Sequence, residues 1–206
     1  MARSNAGRRR PGAARANAPR AAGLAAAPGG AASLDDAARP RLWQDLELRP
    51  FTDPTDARPL FDFAALPWPD PELLTYGWGA FPAAGGAPLA AVLAERAGRA
   101  VLLHGPVIAG TLPDPLALAG ELLAAALPHA AALGADTAFA RPQGLDRVWI
   151  RHGFIPVPES ALPAAFAGRE GVGLYGWRGG SALWSFRPGD EDDAAMSVGR
   201  RQRRSA

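Results

Sequence analysis

The stretch Arg99-Ala-Val-Leu-Leu-His-Gly-Pro-Val-Ile108 opens the segment that decides the fold, and this segment runs to Val157. Its apolar residues predict a strand, which a helix at Pro115–Leu133 and a second strand at Thr137–Ala140 follow. A strand, a helical crossover of a dozen or more residues and another strand predict a parallel pair. Open α/β sheets place their working surface at the strand ends, so we expect a site there.

Gly105-Pro106 interrupts the first of these strands. Proline has no N–H to donate to a sheet ladder, so pairing on one side of the strand is expected to stop or to bulge there. Alternation places Val101 and Leu103 on one face of the sheet, and it places His104 on the other.

The chain before this segment is predicted to add further strands. Leu89–Arg96 pairs with the strand at Arg99 through a turn at Ala97-Gly98, since two apolar runs flank two residues that include glycine. Leu46–Phe51 alternates apolar and polar residues and predicts another strand. The pattern of Tyr76–Phe81 fits either a strand or a loop.

Three Asp-Pro pairs are helix-start signals, at Asp53, Asp70 and Asp114. The carboxylate accepts a hydrogen bond from a free backbone N–H, and proline suits the first helical position. The first helix is expected to bury Leu60, Phe61, Ala64 and Ala65. The long third helix is expected to kink or split at Pro128 and to stop at Gly134; its predicted apolar stripe is Leu116, Leu122, Leu123, Leu127 and Leu133.

The last part of the fold is predicted to be a short helix and three strands. The helix is Leu145–His152, and the strand Phe154–Val157 follows it. Gly173–Arg178 and Ser181–Phe186 flank Gly179-Gly180, which is typical of a tight hairpin. Trp177 and Trp184 are then expected to pair across the two strands.

Composition divides the chain of 206 residues into a folded middle and two tails. Residues 1–41 contain few large apolar residues and eight Arg, and residues 189–206 are acidic and then basic, so both are predicted to be disordered. The single domain is 42–188. It carries ten Arg and fourteen acidic residues, so its charge does not support nucleic-acid binding, and a contact with phosphates would involve the Arg-rich tails alone.

Several kinds of chemistry are excluded or unsupported. Cysteine is absent, which excludes disulfides and thiolate catalysis. The three His do not have the spacing of a metal site, and nucleotide-binding glycine loops are missing. An uninterrupted apolar run of 18 residues is also missing, so we expect no membrane span.

Two resemblances are carried by the residues from Arg99 onward. Arg147-Val-Trp-Ile-Arg-His-Gly-Phe-Ile-Pro156 resembles the closing helix–Gly-Phe–strand motif of the GNAT superfamily of acyl-CoA N-acyltransferases. The element order over about 42–188 resembles that of the same superfamily. A shorter likeness, over Arg99–Ile108 and Asp114–Leu133, is to Fem-type aminoacyltransferases, which share the fold.

The resemblance implies a GNAT-like α/β domain with a mixed sheet that moves an acyl group, acetyl above all, from a CoA thioester to an amine. It implies acetyl-CoA or another acyl-CoA as substrate, a small-molecule or peptide amine as acceptor, and no metal. It also implies a cytoplasmic bacterial protein, and it allows a homodimer. Two departures favour an alternative, a catalytically degenerate domain that serves as a binding module. The family's pyrophosphate loop is replaced by Ile108–Pro115, and Trp149 stands where the family has a Tyr that protonates the thiolate.

Candidate site residues follow from the same resemblance. His104 is the candidate base, because histidine is poised near neutral pH, with a structural strand histidine as the alternative. The candidate cofactor-binding residues are Val107, Ile108, Ala109, Gly110, Thr111, Arg141 and Arg147. Arg141 and Arg147 could equally form surface ion pairs. Trp149 is expected to be core, and His152 is expected to favour its helix C-terminus when charged.

Overall fold

The computed structural model describes residues 33–110 and 112–178, which form an α/β domain with helices packed on an eight-stranded sheet. The strands are β1 (Arg41–Trp43), β2 (Leu46–Pro50), β3 (Leu74–Pro82), β4 (Ala90–Ala97), β5 (Ala100–Ile108), β6 (Thr137–Ala140), β7 (Ile155–Pro156) and β8 (Tyr175–Arg178). The α-helices are α1 (Leu34–Ala37), α2 (Arg58–Phe63), α3 (Pro115–Ala132) and α4 (Asp146–Arg151). Short 3₁₀ turns lie at Pro54–Ala57, Glu159–Ala161 and Ala164–Phe166.

The order of strands across the sheet is β1-β2-β3-β4-β5-β6-β8-β7. Every neighbouring pair is antiparallel except β5 and β6, which the α3 crossover joins in parallel. The predicted parallel pair and the predicted mixed α/β domain are therefore confirmed. β8 lies between β6 and β7, whereas the predicted partner strand Ser181–Phe186, with its turn and Trp184, lies outside the described residues.

Apolar clusters cover both faces of the sheet. The larger one joins α3 and α4 to residues such as Trp78, Val101 and Leu103, while the other face packs Leu93 and Val107 against α2. Alternation along β4 and β5 produces this division, as predicted. α3 has the length and the mean hydropathy, 1.3, of a membrane-spanning helix, and half of it is buried inside the domain.

The helix-start signals have different outcomes. Asp114 caps α3 by accepting from the N–H of Ala117 at 3.0 Å, and Asp53 caps the 3₁₀ turn by accepting from Thr55 at 2.9 Å. α2 then begins at Arg58 with Pro59 in its first turn. The prediction at Asp70 was wrong: its carboxylate caps only one turn, through Glu72 at 3.0 Å, and β3 follows.

Three predicted burial positions also differ. Ala64 and Ala65 are exposed because α2 ends at Phe63 and the chain turns away. Leu116 is 50% exposed, since it lies in the first turn of α3 before the helix reaches the sheet.

The turn of the hairpin between β4 and β5 consists of Gly98 and Arg99, one residue later than predicted, because Ala97 pairs with Ala100.

α3 continues through Pro128 and is not split there. Proline has no N–H, so the carbonyl of Ala124 four residues earlier loses its helical partner. The guanidinium of Arg41, at the start of β1, donates to this carbonyl at 3.3 Å. A hydrogen bond from the sheet edge thus satisfies the group that proline leaves free.

The ordered chain begins before Leu42. Residues 33–41 were assigned to the N-terminal tail, but within them α1 buries Ala37 to 2% exposure and contacts α3. Arg41 already belongs to β1. The rest of both predicted tails lies outside the described residues.

Candidate functional site

The site begins where β5 and β6 separate. Their parallel pairing runs from Ala100 and Thr137 to Leu103 and Ala140, where β6 ends, whereas β5 continues to Ile108. On the β4 side the register shifts between Ala91 and Leu93, opposite the Gly105-Pro106 bond, which is cis. The prediction for Pro106 is confirmed, because the ladder stops on one side and bulges on the other.

A cleft opens at this separation, on the sheet face opposite α3. The cleft is small, with about 30 Å³ of space for water-sized molecules. One wall is the middle of β5, from Leu102 to Gly105, and the other is Arg141 and Gln143 in the loop after β6. Phe61 of α2 adds an apolar surface and Arg169 a polar one. The cleft therefore brings a few polar side chains together beside an apolar surface.

Three charged or titratable side chains meet at the floor of the cleft. Glu95 of β4 is only 2% exposed. Its Oε1 lies 2.9 Å from Nε2 of His104, on the neighbouring strand. Arg169 donates from Nε to both carboxylate oxygens at 3.0 Å and from a terminal nitrogen to Oε2 at 2.8 Å. Strand pairing and the return of the loop after β7 thus bring the three together.

The partners of Glu95 keep it ionised. Burial by itself raises the pKa of Glu95, but the hydrogen bonds from His104 and Arg169, together with their charges, lower the pKa to about 2. An ionised carboxylate only accepts, so Nε2 of His104 carries the hydrogen. When the ring is uncharged, Nδ1 is then an acceptor, and no described residue hydrogen-bonds to it.

The comparisons with known proteins agree with this architecture. No protein-family model matches the chain, and no curated protein matches it by sequence. Among solved structures, an acetyltransferase from Streptococcus agalactiae matches with a TM-score of 0.52 at 12% identity, covering 66% of this chain and 99% of its own. A GNAT-family acetyltransferase from Staphylococcus aureus matches with a TM-score of 0.51 at 9% identity, covering 65% and 99%.

The chain has a GNAT fold. At these identities the likeness concerns the fold alone. The mixed sheet, the α3 crossover and the separation of β5 from β6 are the features of this GNAT fold that build the cleft.

The GNAT fold places the predicted cofactor-binding segment at the open end of β5. Val107 is 3% exposed and faces α2, and Ala109 donates its N–H to Leu89 at 2.8 Å. Ile108 is half-buried, Gly110 is exposed, and Thr111 lies outside the described residues. Within the described ranges 33–110 and 112–178, no strand pairs with the side of β5 that faces away from β4 beyond Leu103. The backbone groups on that side are the ones available to a ligand.

The two candidate arginines have different surroundings. Arg141 donates from both terminal nitrogens to Glu159, at 2.6 and 3.0 Å, and to the carbonyl of Gly173 at 3.1 Å. Its side chain is 10% exposed, so the ion-pair alternative describes Arg141 in this structure. Arg147 lies exposed in the first turn of α4, without a hydrogen bond or ion pair to other described residues.

Trp149 and the other two histidines lie outside the cleft lining. Trp149 is fully buried in the α3 cluster, which confirms it as core. His129 is buried, and burial lowers its pKa. His152 occupies the C-cap of α4 as expected, and burial lowers the pKa of its ring, which favours the uncharged form.

Sequence reasoning missed Glu95 and Arg169. Glu95 had a usable signal, because it directly follows the apolar run Leu89–Ala94 on a predicted strand and buried carboxylates are rare unless paired. Arg169 had none, since it lies in an irregular glycine-rich loop 74 residues away. Among residues 33–110 and 112–178, no group of three or more His, Asp or Glu could hold a metal.

Proposed function

We propose that this protein transfers an acyl group from a CoA thioester to an amine. The observation that carries the proposal is the His104–Glu95 pair at the floor of a cleft that opens where β5 leaves β6. A histidine anchored through one ring nitrogen by a carboxylate presents the other nitrogen as a general base. The acetyltransferases with the same fold support the choice of reaction.

The chemistry follows from this arrangement. Nδ1 of His104 takes a proton from the acceptor amine while the amine nitrogen attacks the thioester carbonyl. The C–N bond forms, the C–S bond breaks, and the imidazolium returns its proton to the departing thiolate. Glu95 does not touch the substrates; it fixes the ring tautomer and stabilises the imidazolium. Trp149 has no part in this step, because its indole N–H is not an acid.

The acyl-CoA is proposed to lie along the open side of β5. Its pantetheine amides would pair with backbone groups of Val107–Gly110 on the side of β5 that faces away from β4, as an added strand would, and Thr111 follows them in sequence. Its phosphates would approach the N-terminus of α3, and Arg147 is free to contact them from α4. Contact with Arg141 requires that side chain to leave Glu159.

The acceptor is proposed to be a small-molecule or peptide amine, because the cleft is narrow and carries only a few polar groups. The Fem-type likeness, the cytoplasmic location and the homodimer remain proposals that rest on the sequence.

The second candidate is a degenerate GNAT fold that binds a partner without catalysis. Two observations favour it: Ile108–Pro115 lacks the family's pyrophosphate-loop residues, and Arg141 is already paired with Glu159. On this view Glu95, His104 and Arg169 have a structural role, and the ion pair between Glu95 and Arg169 holds the loop after β7 onto the sheet.

Calorimetry with acetyl-CoA separates the two candidates. The acyltransferase is expected to bind acetyl-CoA with micromolar affinity and to release free CoA when a panel of amines is added. His104→Asn should slow this release by about 10²–10⁴-fold, whereas the matched variant His152→Asn, in the C-cap of α4, should not. A folded wild type that gives no heat at millimolar acetyl-CoA rejects the acyltransferase.

A further inference from the structure

Glu95 has two hydrogen-bonding partners, His104 and Arg169, and Arg169 makes most of the contacts. Three N–H···O distances of 2.8–3.0 Å join the guanidinium to the carboxylate, against one of 2.9 Å from His104. Hydrogen bonds to both oxygens fix the plane of a carboxylate as well as its position. The direction in which Oε1 meets the imidazole is therefore set by Arg169.

The loop that carries Arg169 is itself fastened to the cleft wall. Gly168, Gly171 and Gly173 all have positive φ values, of 77°, 134° and 72°. Gly171 packs directly on the side chain of Arg141, where a Cβ would collide, and Gly173 accepts a hydrogen bond from the same side chain. The loop is thus held at one end by Arg141 and at the other by the Arg169–Glu95 pair.

Few other charges act on this cluster. Arg141 faces the cleft but is neutralised by Glu159, and Glu170 lines the rim without a partner among the described residues. Asp70 lies near enough to act on Arg169 but makes no contact with it. Asp62 of α2 pairs with Arg58. Arg169 is therefore the cation whose removal most changes the charge beside His104.

We propose that Arg169 is a positioning residue that acts through Glu95 to hold the His104 ring in one tautomer. The guanidinium shares the carboxylate charge, so less of that charge is available to stabilise the imidazolium. Loss of the guanidinium would therefore leave more of that charge to favour an imidazolium at this position. The catalytic consequence rests on the proposed function, whereas the coupling among the three side chains does not.

The coupling can be measured without a substrate. NMR titration of the His104 ring in the full-length protein should show its midpoint moving to higher pH by about one unit in Arg169→Met, because an opposing cation is lost. Arg169→Lys keeps the positive charge and should move the His104 midpoint by much less. Arg99→Met is the matched control. Arg99 also pairs with a carboxylate, that of Asp136 at 2.8 Å, and it directly precedes β5, the strand that carries His104.

Activity supplies the second readout. If the proposed function holds, the acidic limb of the pH profile for amine acylation should shift upward in Arg169→Met by the same amount as the NMR midpoint. A shift in the NMR midpoint without any acyl transfer in the wild type would reject the proposed function and leave the coupling intact. Equal midpoints in wild type and Arg169→Met would overturn the inference.

A second comparison covers the case in which Arg169→Met does not fold because it leaves Glu95 buried and unpaired. Glu95→Gln and the double variant Glu95→Gln/Arg169→Met contain no buried carboxylate at this position. Removing the guanidinium from the Gln variant should move the His104 midpoint little, because the carboxylate through which Arg169 acts is already gone. A rise of about one unit between these two variants would show that Arg169 acts on His104 directly and would overturn the inference.

Discussion

Buried polar side chains in this protein meet their hydrogen-bonding needs in different ways. Nδ1 of His129 accepts from Nε1 of Trp78 at 3.0 Å, and the hydroxyl of Tyr76 donates to the carbonyl of Ala126 at 3.3 Å. Burial raises the pKa of Tyr76 far above its usual value, so it remains a donor. The indole Nε1 of Trp149, in contrast, has no partner in the described structure. Packing must therefore hold Trp149 in place.

Trp149→Ala should lower the free energy of unfolding by about 3–5 kcal/mol, because it removes a fully buried ring that lies edge-on to Phe154 at 4.8 Å. Urea denaturation monitored by circular dichroism measures this loss. Trp149→Phe, which keeps a ring and removes the unpaired N–H, should cost much less. A variant with wild-type stability and impaired ligand binding would make Trp149 a site residue instead.

At the scale of elements, α3 connects the sheet edge to the proposed cofactor site. Its middle depends on Arg41, which satisfies the carbonyl that Pro128 leaves free. Its N-terminus lies close in sequence to the open end of β5 and carries the carboxylate of Asp114 as a cap. That carboxylate opposes any phosphate at the same position, since both are anions at the positive end of the helix dipole.

Asp114→Asn should keep the cap and tighten CoA binding by about 2–5-fold, since the dipole interaction with an anion is worth roughly 0.3–1 kcal/mol. Calorimetric titration with CoA gives the ratio of dissociation constants. Asp53→Asn changes the equivalent Asp-Pro cap before α2 and should leave CoA affinity unchanged. Absence of binding at millimolar CoA in both wild type and Asp114→Asn would remove CoA from this crevice.

At the scale of the whole molecule, the start of the fold in the N-terminal segment depends on contacts that the composition of this segment does not reveal. Residues 1–32 have only one large apolar residue after Met1, Leu24, and their deletion should leave the melting temperature nearly unchanged. Deleting 1–41 removes the buried Ala37 and the hydrogen bond from Arg41 to α3.

The longer deletion should therefore lower the melting temperature by about 4–8 °C, corresponding to roughly 2 kcal/mol in a domain of this size. Thermal unfolding of the two truncated proteins measures the difference. Arg41→Met in the shorter deletion isolates the hydrogen bond from the loss of Ala37. A comparable fall on deleting 1–32 alone would place the start of the fold earlier still.

The sequence by itself determined the features that depend on neighbouring residues. The caps at Asp53 and Asp114, the hairpin before β5 and the interruption at Pro106 follow from hydrogen-bonding groups a few residues apart. The parallel pair follows from the length of its crossover. Resemblance supplied the fold, and it supplied His104 as a candidate on a strand beside the cleft.

Only the tertiary structure decided what surrounds His104. Glu95 and Arg169 are 74 residues apart in the chain, and no local spacing brings them together. The same holds for β3, because the local pattern of Tyr76–Phe81 fits a strand or a loop and pairing with β2 and β4 makes it a strand. Local patterns depend on the chemistry of a few adjacent groups, whereas contacts between distant segments depend on the packing of the whole sheet, and the candidate site is built from such contacts.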